Sequence, residues 1–268
     1  MAKVIDDKHR LVPTWVAAVK YLEANKRQAT NLVLEIDNPT LVTKADQQVL
    51  ATVDQQLRKH SAAHPEGPDL TINTVAATIF PQGVYVRHDP PEFYSKFKDL
   101  MARGQKPHTW GTYAMRLMHR VSPTGHILNP LQDVVAKLHR ATHGGKRVKS
   151  NYEVGMHGCY ADEDCDVGAS EVPITDPFKD TRDRGIPCLS HLTFKLLDDK
   201  VHLTAIYRTH FYCQRALGNL KGLAQLLKFV GAEADVEVGT LTCISTLACL
   251  DLENWTSVAE GAAFVKTL

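Results

Sequence analysis

Charge of one sign is what this chain has least of. Its 31 lysines and arginines against 30 aspartates and glutamates leave a net charge of +1. Bulk attraction to nucleic acid or to an acidic membrane surface shows as a basic excess or stripe, and the balance excludes it as an organising function. No apolar run approaches the roughly 20 residues that span a bilayer. The opening Met1-Ala2-Lys3-Val4-Ile5-Asp6-Asp7 is charged where a secretory leader is apolar, so a cytoplasmic location is expected. Six cysteines have no paired short spacing, which argues against a disulfide framework and for reduced thiols. Internal repeats, low-complexity tracts and linkers are missing too. With 268 residues, 44% of them hydrophobic, the chain can bury a full core, and a single domain over 1–268 is expected.

What is there reads as α+β. Residues 13–27 carry Trp15, Val16, Val19, Tyr21 and Leu22 at helical spacing, and 46–59 repeat the pattern with Val49, Leu50, Val53 and Leu57. Between them 31–36 alternate as a strand before an Asp37-Asn38-Pro39 turn. Asn129 before Pro130 is a cap and first helical position, Leu131, Val134, Val135 and Leu138 form the apolar face, and Gly144-Gly145 can stop the helix. Segments 191–197 and 201–207 flank Asp198-Asp199-Lys200 as an antiparallel hairpin. A helix over 220–230 closed by Gly231 and a strand over 236–244 follow. Residues 154–180, rich in Gly, Asp, Glu and Pro, predict a long insertion leaving the core.

Chemistry concentrates in one stretch. Pro187-Cys188 opens the hairpin, Tyr207-Arg208-Thr209 ends it, and Gly218-Asn219-Leu220 heads the next helix. A thiolate is a strong nucleophile near neutral pH when a neighbouring positive charge lowers its pKa, and an arginine supplies such a charge while gripping a phosphate or oxyanion. Cys188 is therefore the candidate nucleophile and Arg208 its candidate anion-binding partner.

From Pro187 to about Gly239 the order and spacing resemble the thymidylate synthases, whose catalytic block is Pro-Cys, a hairpin, Arg-Ser and an Asn further on. The match takes in Lys200 in the hairpin turn, Tyr207-Arg208-Thr209 at the Arg-Ser step, Asn219, and Val236-Glu237-Val238-Gly239. Upstream, Trp110-Gly111-Thr112-Tyr113 is similar to the family's Tyr-Gly-x-x-Trp segment, and 131–138 to its Asp-Gln-Ile helix. Lys146-Arg147 resembles the Arg-Arg pair that reaches across a dimer to the partner's nucleotide phosphate, and Arg27 the amino-terminal phosphate arginine.

The resemblance implies a homodimer with a three-layer fold around a mixed, largely antiparallel twisted sheet, binding a pyrimidine nucleoside monophosphate. Cys188 would add to C6 of the ring, making C5 nucleophilic toward a one-carbon unit from methylenetetrahydrofolate, so that methyl or hydroxymethyl transfer results. Arg208, Thr209, Arg27, Lys146 and Arg147 would hold the phosphate. Asn219 would read the N3/O4 edge, since a carboxamide offers a donor and an acceptor in one plane.

The chain also departs from the pattern. The family's proton-relaying glutamate falls in Thr74-Val75-Ala76-Ala77-Thr78-Ile79-Phe80, which has no carboxylate. Phe211 stands where an aspartate holds the pterin, and Ser245-Thr246-Leu247-Ala248-Cys249-Leu250-Asp251 replaces the run whose His and Tyr hold the ribose. His191, with His202, His210 and Tyr113, is left as a candidate acid or base. These gaps favour a second class of function, a catalytically impaired nucleotide-binding or scaffold protein of the same fold. A thiol hydrolase pairing Cys188 with a remote histidine is a third, without a local cysteine-protease signature.

Plainer roles stand beside each of these. Cys188 could be a small core hydrophobe, Arg208 a structural ion-pair partner, Asn219 a helix cap, and Lys146-Arg147 a complement to a helix dipole. His157, Cys159, Asp164 and Cys165 lie close in sequence, but C-x5-C is not the short knuckle of zinc sites, and no metal is expected.

Overall fold

The computed structural model describes residues 2–104, 111–121, 126–144, 153–154, 186–255 and 257–268. Along the chain run β1 (Lys3–Ile5), α1 (Leu11–Ala24), β2 (Gln28–Ile36), α2 (Lys44–Ala63), α3 (Ile72–Ile79), α4 (Gln82–Tyr85), α5 (Glu92–Gly104) and α6 (Tyr113–Met118). There follow β3 (Arg120–Val121), β4 (Ile127–Leu128), α7 (Pro130–Thr142), β5 (Glu153–Val154), β6 (Leu189–Leu197), β7 (Lys200–Tyr207) and β8 (His210–Phe211). A π-helical turn (Tyr212–Ala216) leads into α8 (Leu217–Ala234), then β9 (Glu237–Cys249), a 3-10 turn (Leu252–Trp255) and α9 (Val258–Thr267). The class is α+β with mixed strand pairing, as expected. The expected insertion at 154–180 lies, apart from Val154, outside the described residues, as do Trp110, Lys146 and Arg147.

The chain divides into two units, Met1–Ala76 with Ile206–Gln225 and Thr240–Leu268, and Ala77–Ala205 with Leu226–Gly239. In the first, β2 pairs in parallel with β1, Val4 opposite Val33, and antiparallel with β9, Leu32 opposite Ser245 and Leu34 opposite Cys243. β8 adds to β9 in parallel, with His210 opposite Ala248. Leu32, Leu34 and Ile36 alternate into the core, as a half-buried strand requires. Trp15 of α1 is fully buried edge-on to Trp255, and its indole N–H donates to the Tyr212 carbonyl at 3.1 Å. That bond ties α1 to the turn preceding α8.

The helix expected over 46–59 is longer, because Thr43 and Asp46 build a capping box at its start. Thr43 accepts from the Asp46 backbone N–H, and the Asp46 carboxylate accepts from that of Thr43 at 2.9 Å and from Arg10 Nε at 2.9 Å. Burial works against the charged Asp46, yet the bonds from Arg10 and Thr43 prevail and hold its pKa below the usual carboxylate value. A depressed folded-state pKa contributes stability that is complete above the unfolded value near 4 and is lost as pH falls through the folded one. Asp46→Ala should cost about 2–3 kcal/mol at pH 7 and flatten the acid limb of stability in chemical denaturation at stepped pH. An unchanged acid limb would show that Asp46 contributes nothing to it.

In the second unit, Phe80, Tyr85 and Phe93 pack around Phe229 of α8, with ring centroids 4.9–5.6 Å from it. Asn129 caps α7 as expected, accepting from the Gln132 backbone N–H at 3.1 Å. The β6–β7 hairpin forms with a tighter turn than expected. Asp198 and Asp199 both take positive φ, 50° and 57°, as a two-residue primed turn demands, so Lys200 already belongs to β7. Gly231 does not close α8. The helix runs on to Ala234, and Gly231 lies where a Cβ would come within 2.9 Å of the Val236 carbonyl. Asp235, at φ 53°, takes the left-handed terminating position, and the Val236 N–H donates back to the Gly231 carbonyl at 2.9 Å.

Candidate functional site

Cys188 sits in the second unit, at a bend just before β6, and is half-buried. The Tyr113 hydroxyl, at the first residue of α6, accepts from the backbone N–H of Cys188 at 3.2 Å and of Leu189 at 3.4 Å. Thr112 fixes the start of α6 by accepting from the Met115 N–H at 3.2 Å. Of the acid/base candidates, Tyr113 thus serves as a mount for the segment carrying the thiol. His191 points its Nε2 to Thr193 Oγ1 at 2.7 Å, two residues along the same strand. His202 lies against Gly239, where its ring atoms fill the place of a Cβ at 2.6–2.8 Å. The other described cysteines differ in kind. Cys213 and Cys243 are buried core thiols, and burial pushes both pKa values up, that of Cys243 to about 12. Cys249, half-buried, is also raised, by burial and then by Asp251 and Glu253.

Arg208, Thr209, Asn219 and Arg27 belong to the first unit. Arg208 is exposed at the end of β7, and its carbonyl accepts from Thr246 Oγ1 at 2.7 Å, fixing the backbone of the Arg208-Thr209 bend. Arg27 sits in a left-handed turn, φ 61°, and pairs with Glu23 one helical turn back at 3.2 Å. Asn219 is no helix cap. It is the third residue of α8, 4% exposed, and its Nδ2 lies 3.1 Å from His210 Nε2.

His210, one of several candidate histidines in the sequence, is the one buried against Asn219. It is 1% exposed, stacked at 4.0 Å and 4° on the Tyr207 ring, and its Nδ1 lies 3.0 Å from Ser245 Oγ, which is itself 3.1 Å from the Tyr212 hydroxyl. Burial drives its pKa down to about 3, so the ring is neutral under working conditions. A buried chain Asn219–His210–Ser245–Tyr212 therefore backs the one carboxamide singled out for base reading.

Gly218 makes this placement possible. A Cβ there would lie 2.6 Å from Val75 Cβ, 2.8 Å from Val75 Cγ1 and 3.1 Å from the Ile72 carbonyl, so α8 approaches α3 closely beside Asn219. Gly218→Ala should destabilise by about 2 kcal/mol through overpacking, read as a melting temperature lower by about 5 °C. A variant melting with the parent would show that α3 yields freely.

The family's folate contacts are not matched. Phe211, half-buried on β8, offers no acceptor to a pterin's N–H groups. The nearby carboxylate of Asp251 is buried and engaged by the Cys213 backbone N–H at 2.8 Å and Asn254 Nδ2 at 3.0 Å. Burial raises its pKa to about 6. Helix α3 supplies no carboxylate either. Among the described residues no cluster of three His, Cys, Asp or Glu is placed to hold a metal ion, and no helix is long and apolar enough to cross a membrane.

Comparison with known proteins finds several similar archaeal proteins, each named "Putative thymidylate synthase". The one from Methanosarcina mazei is 37% identical over 82 residues, 31% of this chain and 38% of the relative. That from Methanococcoides burtonii is 34% identical over 84 residues, 31% and 39%, and that from Methanothermobacter thermautotrophicus is 35% identical over 85 residues, 32% and 38%. The chain thus spans under two fifths of the length of these relatives. No protein-family profile matches it.

Proposed function

We propose that this protein is a divergent thymidylate-synthase-like transferase, acting in the cytoplasm as a homodimer on C5 of a pyrimidine nucleoside monophosphate, with Cys188 as the nucleophile. The observation that carries this reading is the mounting of Cys188. Among the described cysteines it alone opens a strand with its own backbone N–H held by a side-chain hydroxyl, that of Tyr113. The similarity to proteins named for thymidylate synthesis supports the substrate class.

In the reaction, the Cys188 thiolate forms a bond to C6, the C5–C6 π pair moves toward C5 and the C4 carbonyl oxygen, and C5 becomes a carbon nucleophile. Capture by a one-carbon electrophile at the formaldehyde level gives hydroxymethylation, and methylation needs a hydride as well. Loss of the C5 proton then leaves its bonding pair to restore the C5–C6 double bond, and the Cys188 thiolate departs with the C6–S pair. Arg208 and Thr209, with Arg27, Lys146 and Arg147, are assigned to the phosphate, whose binding energy aligns C6 with sulfur. Asn219 is assigned to the base edge. Methylenetetrahydrofolate is the donor that the resemblance implies. Phe211 does not fit the family's pterin contact, so no step here depends on folate.

A second reading, a nucleotide-binding or scaffold protein without catalysis, is favoured by the carboxylate-free α3 and by Phe211. Release of tritium to water from C5-labelled uridine and cytidine monophosphates, ribo and deoxy, separates the two, because exchange needs only the C6 adduct and water. Release above background supports the transferase. Nucleotide binding without release would leave the scaffold reading, and no binding at millimolar nucleotide would overturn both.

A further inference from the structure

An asparagine reads a pyrimidine only if its carboxamide cannot turn over. Uracil presents an N3–H donor beside an O4 acceptor, and cytosine presents the reverse, an N3 acceptor beside an N4 amino donor. Rotating a carboxamide by 180° exchanges its donor and acceptor at almost no change in shape, so a free Asn219 would accept both bases. Something must break that symmetry.

We propose that His210 is the specificity-determining positioning residue of the nucleotide site, holding the Asn219 carboxamide in one orientation through a tautomer fixed by Ser245 and Tyr212. This inference rests on the assignment of Asn219 to the base edge.

Nδ2 of Asn219 can only donate, so His210 Nε2, 3.1 Å away, accepts with its lone pair. In a neutral imidazole the proton is then on Nδ1, which donates to Ser245 Oγ at 3.0 Å. Ser245 is fully buried and its oxygen meets the Tyr212 hydroxyl at 3.1 Å, so both ends of the histidine are occupied by protein. The parallel stack of the imidazole on Tyr207 keeps the ring plane from turning. Reversing the carboxamide requires Oδ1 to face Nε2, which requires the other tautomer and a reorganised Ser245–Tyr212 pair. Because His210 stays neutral far below neutral pH, a charged ring facing either amide orientation is not populated, and the tautomer is the only variable. Asn219 retains Oδ1 and one Nδ2–H for a ligand.

The test uses the full-length protein, with His210→Phe, which keeps the ring stack but has no nitrogen, and Ser245→Ala, which keeps the histidine but frees its tautomer. Dissociation constants for uridine and cytidine monophosphates are measured by calorimetry, and histidine tautomers by 15N NMR. The parent should show the Nδ1–H tautomer and favour the uracil nucleotide by tenfold or more. Both variants should bring the two affinities within about threefold of each other. A role in stability alone would lower the melting temperature and leave the affinity ratio untouched, which would overturn the proposal. A parent histidine protonated on Nε2 would also overturn it, whether or not nucleotide binds. If the parent shows the Nδ1–H tautomer but binds no pyrimidine nucleotide, the function proposed above fails and the specificity role falls with it, whereas binding with an unmoved ratio fails the His210 role alone.

Discussion

Replacing Cys188 with alanine should reduce exchange of the C5 hydrogen to background, a loss on the order of 10⁴-fold or more, while nucleotide affinity stays within about threefold. The asymmetry follows from the division of labour. Affinity is assigned to arginine–phosphate contacts and the Asn219 carboxamide, none of which involves sulfur, whereas C5 becomes nucleophilic only through a bond to C6. Alanine removes the nucleophile and adds no volume. Cys188→Ser is the stricter variant, because it keeps a hydroxyl of similar size whose pKa is far too high to add to C6 at neutral pH. Cys243→Ala is the matching control. Its thiol is buried, with a pKa pushed up to about 12, so its loss should lower stability and leave exchange intact. Exchange that survived in Cys188→Ser would remove the covalent adduct from the mechanism, and exchange lost only in Cys243→Ala would move the nucleophile into the core.

The elements legible in the sequence are those whose signal is local. Asn129-Pro130 announces α7 because cap and first helical position are adjacent in the chain, and the alternation in β2 shows which side faces the core. Boundaries failed where tertiary contact overrode a local cue. Gly231 reads as a helix stop because glycine commonly follows one, but here the missing side chain is required by the close approach of Val236, and α8 continues. Cys188 was legible from its place after a proline at the head of a hairpin. Its mount was not, because Tyr113 lies 75 residues away. The network behind Asn219 was hidden for the same reason. His210 and Ser245 are 35 residues apart, and a lone serine in an apolar strand carries no mark of what it will face. A histidine among Thr209, Phe211 and Tyr212 was visible, and the signal that could have found it is the expectation that a polar group within an apolar stretch is buried only with a partner.

Tyr113→Phe separates positioning from proton transfer at the thiol. The phenol accepts from the N–H groups of Cys188 and Leu189, and phenylalanine keeps the ring in its buried place on α6 while removing that acceptor. Losing an acceptor shared by two backbone donors costs about 1–3 kcal/mol of stability, and the segment bearing the sulfur loses its fixed point. A displacement of about 1 Å in a reacting group costs on the order of 10²-fold in rate, so exchange should fall about a hundredfold at saturating nucleotide, with the Michaelis constant nearly unchanged. The pH profile decides the role. If Tyr113 only holds the backbone, the whole rate–pH curve drops and keeps its shape. If the phenol itself transfers a proton, one limb of that curve disappears in the variant, and the assignment as a mount is wrong. Reaction of Cys188 with iodoacetamide supplies the second measure, since it needs a thiolate but no alignment with C6. Its rate should move far less than exchange does, because a sulfur that is still nucleophilic but no longer aimed is the expected product of this single missing oxygen.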